Sequence, residues 1–430
     1  MGHLVGKDVY LQLGRKIDNL TVRAPWNDKL FAILKELYSE DEARLIIQMP
    51  YTMASFLRLA QATGIEETKL RKLLAGLCKK GLVIDLCVDG KFRYMPSPMV
   101  IGIFEFTMMR RGEELNAKKW AELFNPYFHG EDGFLNANFS KGEKVSIMRA
   151  LPHEGSVKPE EYVEVLDYER ATAIIEQTDR FAIGLCSCRH EKHHLGDRTC
   201  KVPLEKCSTY GMAADYLIRN DLAREVSKSE MLENLAESRE MGLVLAADNV
   251  RQRVGFTCHC CACCCNVLQG ITRSGLPNTL VTSSFIAQTD RETCLGCKVC
   301  ARRCPIDAIE MVPAQEPKFK KFGRPVVDES ACLGCGVCTL QCKSGAMKLT
   351  KRHERVLHPE TTFERTILQC LERGTLQNQL FADPASGTHQ FMLGLVDLLN
   401  GLPGTLTGRI VVRVLLRQLS LGIIDQCQQM

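Results

Sequence analysis

The sequence predicts an α+β protein of several domains, and three observations carry that expectation. Its 430 residues exceed what one hydrophobic core usually serves. Helix-period segments alternate with short apolar runs bounded by glycine. One cysteine pattern occurs twice, at 291–311 and again at 329–349. The expected divisions are residues 1–110, a Cys-rich middle at 111–284, the repeat at 285–352 and a mainly helical region at 353–430.

Composition narrows the class. The chain is 45% hydrophobic and 25% charged, as ordinary globular proteins are. A formal net charge of +4 gives no argument for nucleic acid. The start lacks an apolar secretory region, Gly2 lacks the residues of a myristoylation site, and no apolar run is long enough to span a bilayer. A cytoplasmic protein is expected. Of 22 cysteines, 18 lie between Cys186 and Cys342, and Cys78, Cys87, Cys370 and Cys427 are scattered singles. A large chain with cysteines in tight runs points to metal ligation in a reducing compartment rather than to disulfides.

In the first division, 41–49 reads as a short helix. Residues 52–62 read as another, ending at Thr63-Gly64. Glu66 to Lys80 form a third, with Leu70, Leu73, Leu74 and Leu77 on one face, and Gly81 stops it. Leu82–Cys87 and Lys91–Met95 are strands around a "VDG" turn. Two helices followed by a hairpin resemble a winged helix–turn–helix domain. That resemblance implies DNA binding through Lys69, Arg71, Lys72, Lys79 and Lys80. The acidic neighbours Glu66, Glu67, Asp85 and Asp89 favour a packing or partner-docking module with a solvated basic helix.

Further along, "MRRGEELNAKKWAELFNPYF" reads as one amphipathic helix. "EYVEVLDYERATAIIEQTDRFAIGLCSC" reads as a helix feeding a strand that ends at the first cysteines. Residues 208–250 read as helical with an acidic surface.

The repeat is the most specific signal. "RETCLGCKVCARRCPIDAIEM" aligns with "ESACLGCGVCTLQCKSGAMKL", and each holds C-x2-C-x2-C-x3-C. This spacing resembles bacterial-type two-cluster ferredoxins, in which the fourth cysteine of each copy serves the other cluster. The resemblance implies one [4Fe-4S] cluster on Cys294, Cys297, Cys300 and Cys342. It implies a second on Cys332, Cys335, Cys338 and Cys304. Two departures stand out. Lys343 replaces the proline found at Pro305, and the link "PAQEPKFKKFGRPVV" is long and basic. Lys318, Lys320, Lys321 and Arg324 there are either a solvated loop or a surface that steers an acidic redox partner.

Ten cysteines precede the repeat. Cys186, Cys188, Cys200 and Cys207 suffice for one cubane or one zinc, and a third cluster on these four is the simplest expectation. Arg189, His190, His193 and His194 surround them, as cations that favour thiolate or as surface residues. The run "CHCCACCC" holds Cys258, Cys260, Cys261, Cys263, Cys264 and Cys265. Neighbouring side chains on an extended segment point to opposite sides, so one cubane does not use all six. The run reads as a shared loop facing two directions, completed by cysteines elsewhere, with its partition open.

Taken in order, these segments resemble large 4Fe-4S ferredoxin-type proteins of anaerobic bacteria. The resemblance implies electron transfer in anaerobic metabolism, as a partner or subunit of an oxidoreductase. Neither a G-x-G-x-x-G after a strand nor a P-loop is present, so no nucleotide cofactor is expected. Two other classes remain open: a redox-sensing winged-helix regulator, and an oxidoreductase whose Cys-rich site is itself catalytic. At the C-terminal end, Arg409, Arg413 and Arg417 form a basic stripe beside Ile410, Val411, Val414, Leu415 and Leu419. Such a helix suits packing on a protein core better than a membrane surface.

Overall fold

The structure is a computed structural model describing residues 2–112, 115–143, 145–157, 166–354 and 356–381. It divides into two compact units. One holds the residues to Arg110, Glu122–Asn138 and the described residues from Thr362; the other holds Arg111–Ala121 and Phe139–Thr361.

In the first unit, α1 (Gly2–Asp18), α2 (Asp28–Leu37) and α3 (Glu40–Gln48) bury Leu13, Ile17, Leu30, Ile33, Leu45 and Ile46. Ser39 and Glu42 form a capping box that starts α3. Then come β1 (Ala54–Ser55), α4 (Phe56–Thr63), α5 (Glu67–Lys80), β2 (Val83–Val88) and β3 (Lys91–Pro96). These are the elements expected over 52–95, and the strands pair in the order β1-β3-β2. Gly81 ends α5 at φ +76°, where a Cβ would stand 2.2 Å from that of Phe106.

Helix α6 (Phe104–Met109) packs Phe104 against Phe124 and Phe128 of α7 (Ala117–His129). The expected single helix from Met109 is therefore corrected: α6 closes on Arg110 in an extended conformation, and Gly112 has φ +139°. Helix α8 (Phe134–Phe139) follows.

The second unit is built on a six-stranded antiparallel sheet of order β4-β8-β9-β6-β5-β7. Its parts are β4 (Met148–Leu151), α9 (Ala171–Glu176), β5 (Phe181–Leu185), α10 (Ser187–Leu195), β6 (Glu205–Tyr210), α11 (Gly211–Arg219), β7 (Ala223–Glu225), α12 (Lys228–Glu240), β8 (Val244–Asp248), β9 (Phe256–Cys260) and α13 (Asn266–Thr272). The helical reading of 208–250 is corrected here, because β7 and β8 lie inside it. All five residues of β8 are buried, so the run carries no period to read. One sheet face packs Phe181, Ile183, Tyr210 and Leu245 against Ile174, Ile175 and Met231. Cys207, Cys258 and Cys260 alternate onto the opposite face.

The repeat comprises β10 (Phe285–Thr289), α14 (Val299–Arg303), β11 (Ile309–Val312), β12 (Arg324–Val327), α15 (Val337–Leu340) and β13 (Met347–Lys351). Strand β10 pairs with β13, and β11 with β12. Each pair thus joins the strand leading into one cysteine loop to the strand leaving the other. Helices α16 (Thr362–Arg373) and α17 (Leu376–Leu380) bury Ile367, Cys370 and Leu376. The stripe of Arg409, Arg413 and Arg417, with Cys427, lies outside the described residues. Among the described residues, no helix is long and apolar enough to cross a membrane.

Candidate metal centres

The two copies share a backbone. Gly296 and Gly334 have φ +60° and +68°, Lys298 and Gly336 have +64° and +81°, and Asp307 and Gly345 have +56° and +68°. The last pair shows that Lys343 in place of Pro305 leaves the turn unchanged. Asp290 N donates to Ala346 O, and Asp328 N donates to Ala308 O, which repeats the cross-link in both directions. Because the strands pair crosswise, Cys342 comes to the first loop and Cys304 to the second. One cavity is lined by Cys294, Cys297, Cys300 and Cys342, and another by Cys304, Cys332, Cys335 and Cys338.

The two cavities differ in surroundings. Cys297 and Leu295 at the first are exposed, and the basic link closes over it through Phe319, which packs on Cys294, Cys342 and Ala346. At the second, Cys332, Cys335 and Cys338 are all buried. That loop sits against the rest of the unit: His153 N donates to Cys335 O (3.0 Å), Ser156 Oγ to Gly336 O (3.2 Å) and Ser283 Oγ to Gly334 O (2.9 Å). This explains a sequence difference between the copies. A Cβ on Gly336 would meet Ser156 at 2.7 Å, whereas the equivalent Lys298 is exposed.

The ten middle cysteines fall into two groups, and the partition differs from the simplest expectation. Cys200 does not join Cys186, Cys188 and Cys207. Instead Cys200, Cys261, Cys263 and Cys264 form one tight set, with all Sγ atoms within 4.8 Å of one another. On the other side Cys258 contacts Cys207 and Cys260, Cys260 contacts Cys265, and Cys265 contacts Cys188 through thiol hydrogen bonds. Cys186, at the start of α10, lies within electrostatic reach of Cys188 and Cys207. The dense run therefore faces two ways. Cys258 and Cys260 share one face of β9, Cys265 caps α13, and the turn between them sends Cys261, Cys263 and Cys264 elsewhere.

The profile of the 4Fe-4S dicluster domain family matches residues 293–346. This chain is an iron–sulfur protein. Comparisons with curated proteins and with solved structures return no match. The residues of the dicluster domain suit [4Fe-4S] clusters. Both cavities are ringed by four thiols, small residues (Ala308, Ala346) sit beside them, and backbone N–H groups point at sulfur. Ala308 N donates to Cys304 Sγ and Met347 N to Cys342 Sγ, each at 3.3 Å. Such bonds favour the thiolate that a cluster needs.

Buried between the two middle groups is Arg189, with no exposed surface. It donates to Pro203 O and His259 O, both at 3.0 Å, and to Cys261 Sγ at 3.6 Å. Its Nε has no protein partner. The Cys264 thiol and the Arg189 guanidinium hold Cys261 down to about 4 against burial. At the six-thiol group, hydrogen bonds among thiols, then burial, push Cys188 and Cys258 well above the ordinary thiol value. Thiols crowded where their own charge is disfavoured bind a cation on losing their protons. None of the histidines named from the sequence belongs to the tight four-thiol set: His190 and His194 contact each other at 2.9 Å and His193 is exposed. Sequence reasoning missed Gln269, whose Nε2 donates to Cys263 O at 2.7 Å, and Arg198, whose Nε donates to Cys200 O at 3.1 Å. Neither has a motif; only the folded contact reveals it.

Proposed function

We propose that this chain relays single electrons between an external redox protein and a cysteine-rich interior site, as a partner or subunit of an oxidoreductase. The observation that carries this reading is the crosswise pairing of the repeat, which rings each cavity with three thiols of one loop and the fourth of the other. Bound clusters supply one-electron redox chemistry. Cys294, Cys297, Cys300 and Cys342 are assigned to one cluster, and Cys304, Cys332, Cys335 and Cys338 to the other. The first faces solvent at Cys297, where electrons pass to or from a partner. The second is lined by the buried Cys332, Cys335 and Cys338, with Leu333 buried on its loop and the loop carbonyls held by Ser156 and Ser283, while the six-thiol group lies on the sheet. Cys186, Cys188, Cys207, Cys258, Cys260 and Cys265 are assigned to a further iron–sulfur site there.

The partner surface is read from charge. Lys298, Arg302, Arg303, Lys320 and Lys321 are exposed around the first loop and fit an acidic redox protein. The winged-helix resemblance is assigned to docking rather than to DNA. At least three of its five basic residues are engaged: Lys69 pairs with Asp41 at 2.8 Å, Arg71 with Glu67 at 2.6 Å and Lys80 with Glu42 at 2.8 Å.

Iron and acid-labile sulfide per chain, with EPR of the reduced form after anaerobic preparation, test this reading. More than about eight iron atoms are expected, with the excess lost in Cys258→Ser. Eight or fewer, unchanged in that variant, would remove the interior site from the relay. Salt-dependent binding to a specific promoter would instead restore the regulator reading.

A further inference from the structure

Four middle thiols stand closer together than a four-iron cluster allows. Cys200 Sγ lies 3.7 Å from Cys261 Sγ and 3.9 Å from Cys264 Sγ. Cys263 Sγ lies 3.8 Å from Cys261 Sγ and 3.4 Å from Cys264 Sγ. A tetrahedral ion with metal–sulfur bonds of about 2.3 Å sets its thiolates about 3.8 Å apart. A cubane holds its thiolates roughly 6 Å apart, because each extends outward from a different corner. The dicluster domain provides an internal standard. Among the described residues its two quartets do not close to within 4.8 Å, nor do the six thiols of the neighbouring group; this set alone does.

We propose that Cys200, Cys261, Cys263 and Cys264 bind one tetrahedral zinc ion, as a closed structural site separate from every iron–sulfur site. All four positions are protein thiolates, so none is left for a substrate. On binding, each thiol still protonated releases its proton to solvent, and no electron moves. Four thiolates around a divalent ion leave two negative charges, and the buried Arg189 guanidinium at Cys261 offsets one. The turn is preset: Cys264 N and Cys265 N both donate to Cys261 O, Gln269 holds the Cys263 carbonyl and Arg198 the Cys200 carbonyl. Val202 and Leu243 pack on the sulfurs.

The site has a structural consequence. Cys200 lies 61 residues before Cys261, so the ion clips the loop after α10 onto the end of β9. That clip fixes Cys258, Cys260 and Cys265 on one side and Cys186 and Cys188 on the other. Zinc thereby shapes the six-thiol group without belonging to it.

Metal content and zinc K-edge X-ray absorption on the full-length, anaerobically prepared protein test this. About one zinc per chain is expected, with four sulfur neighbours near 2.3 Å and no iron neighbour. Cys263→Ser, at one of the two part-exposed thiols of the four, should lose the zinc while acid-labile sulfide stays unchanged. No zinc, with about four sulfides lost in Cys263→Ser, would overturn the single-ion site in favour of a cubane. One high-spin iron in a four-sulfur environment would keep the single-ion site and overturn zinc. The absorption measurement needs no variant, so misfolding of Cys263→Ser does not blunt the test.

Discussion

Replacing Gly334 by alanine tests the loop that carries Cys332 and Cys335. Gly334 has φ +68°, and a Cβ there would stand 2.1 Å from Phe285 O and 2.3 Å from Ser283 Oγ. The left-handed conformation costs an alanine about 1–2 kcal/mol. The clash adds about 1–3 kcal/mol, because the loop must move away from β10. Moving it also stretches the bonds from Ser283 N to Leu333 O and from Ser283 Oγ to Gly334 O, 3.0 and 2.9 Å long. The total is about 2–5 kcal/mol. The matched control is Gly345→Ala, which has the same φ of +68° and nothing within 4 Å of its Cβ. It should cost only the conformational part, about 1–2 kcal/mol. Gly296→Ala, with Lys318 O at 2.6 Å, should fall between them. The assay is anaerobic thermal melting followed by bleaching of the iron–sulfur absorbance. At about 2–4 °C per kcal/mol for a unit of this size, Gly334→Ala should lower the midpoint by roughly 4–20 °C. Equal losses in Gly334→Ala and Gly345→Ala would refute the close-approach argument.

Other perturbations address charge and ligation. Cys342→Ser and Cys294→Ser should lose the same component of the reduced EPR spectrum, and Cys304→Ser and Cys335→Ser the other; pairing by sequence proximity instead would overturn the crosswise assignment. Arg189→Leu should lower stability by about 2–4 kcal/mol in urea, since it strands the Pro203 and His259 carbonyls beside uncompensated thiolate. His358 is 5% exposed beside Asn249. Burial, then Arg149 and Arg251, push its pKa down to about 3. The unfolded chain therefore takes up a proton that the folded chain refuses, and stability falls as pH drops below about 6.5. His358→Gln should narrow its gap to wild type by about 1.4 kcal/mol between pH 7.5 and 5.5, and a gap independent of pH contradicts the buried neutral ring. Lys320→Glu with Lys321→Glu should slow electron exchange with an acidic partner severalfold at low salt and flatten its salt dependence, measured by stopped flow.

The dicluster domain was legible in the sequence because three of the four thiols at each cavity are local. Cys294, Cys297 and Cys300 lie on one short loop, and the whole pattern recurs at Cys332, Cys335 and Cys338 with the same glycines. Helices α4 and α5 and the hairpin after them were legible too, since glycines at positions 64, 81 and 90 mark their ends. Strand β8 was not, because a fully buried run shows no alternation. Nor were the first helical turns expected after Met109, where Gly112 interrupts a pattern that charge and apolar spacing alone suggest.

For the middle cysteines the sequence determined only that six crowded thiols exceed one cluster. Their partition was decided by tertiary structure. The two-residue period of β9 turns Cys258 and Cys260 toward Cys207, while the turn at Cys261 directs the next three thiols toward a loop 61 residues earlier. Distance between sulfurs separates a single-ion site from a cluster site, and sulfurs brought together by a sheet register and a distant loop have no fixed spacing along the chain.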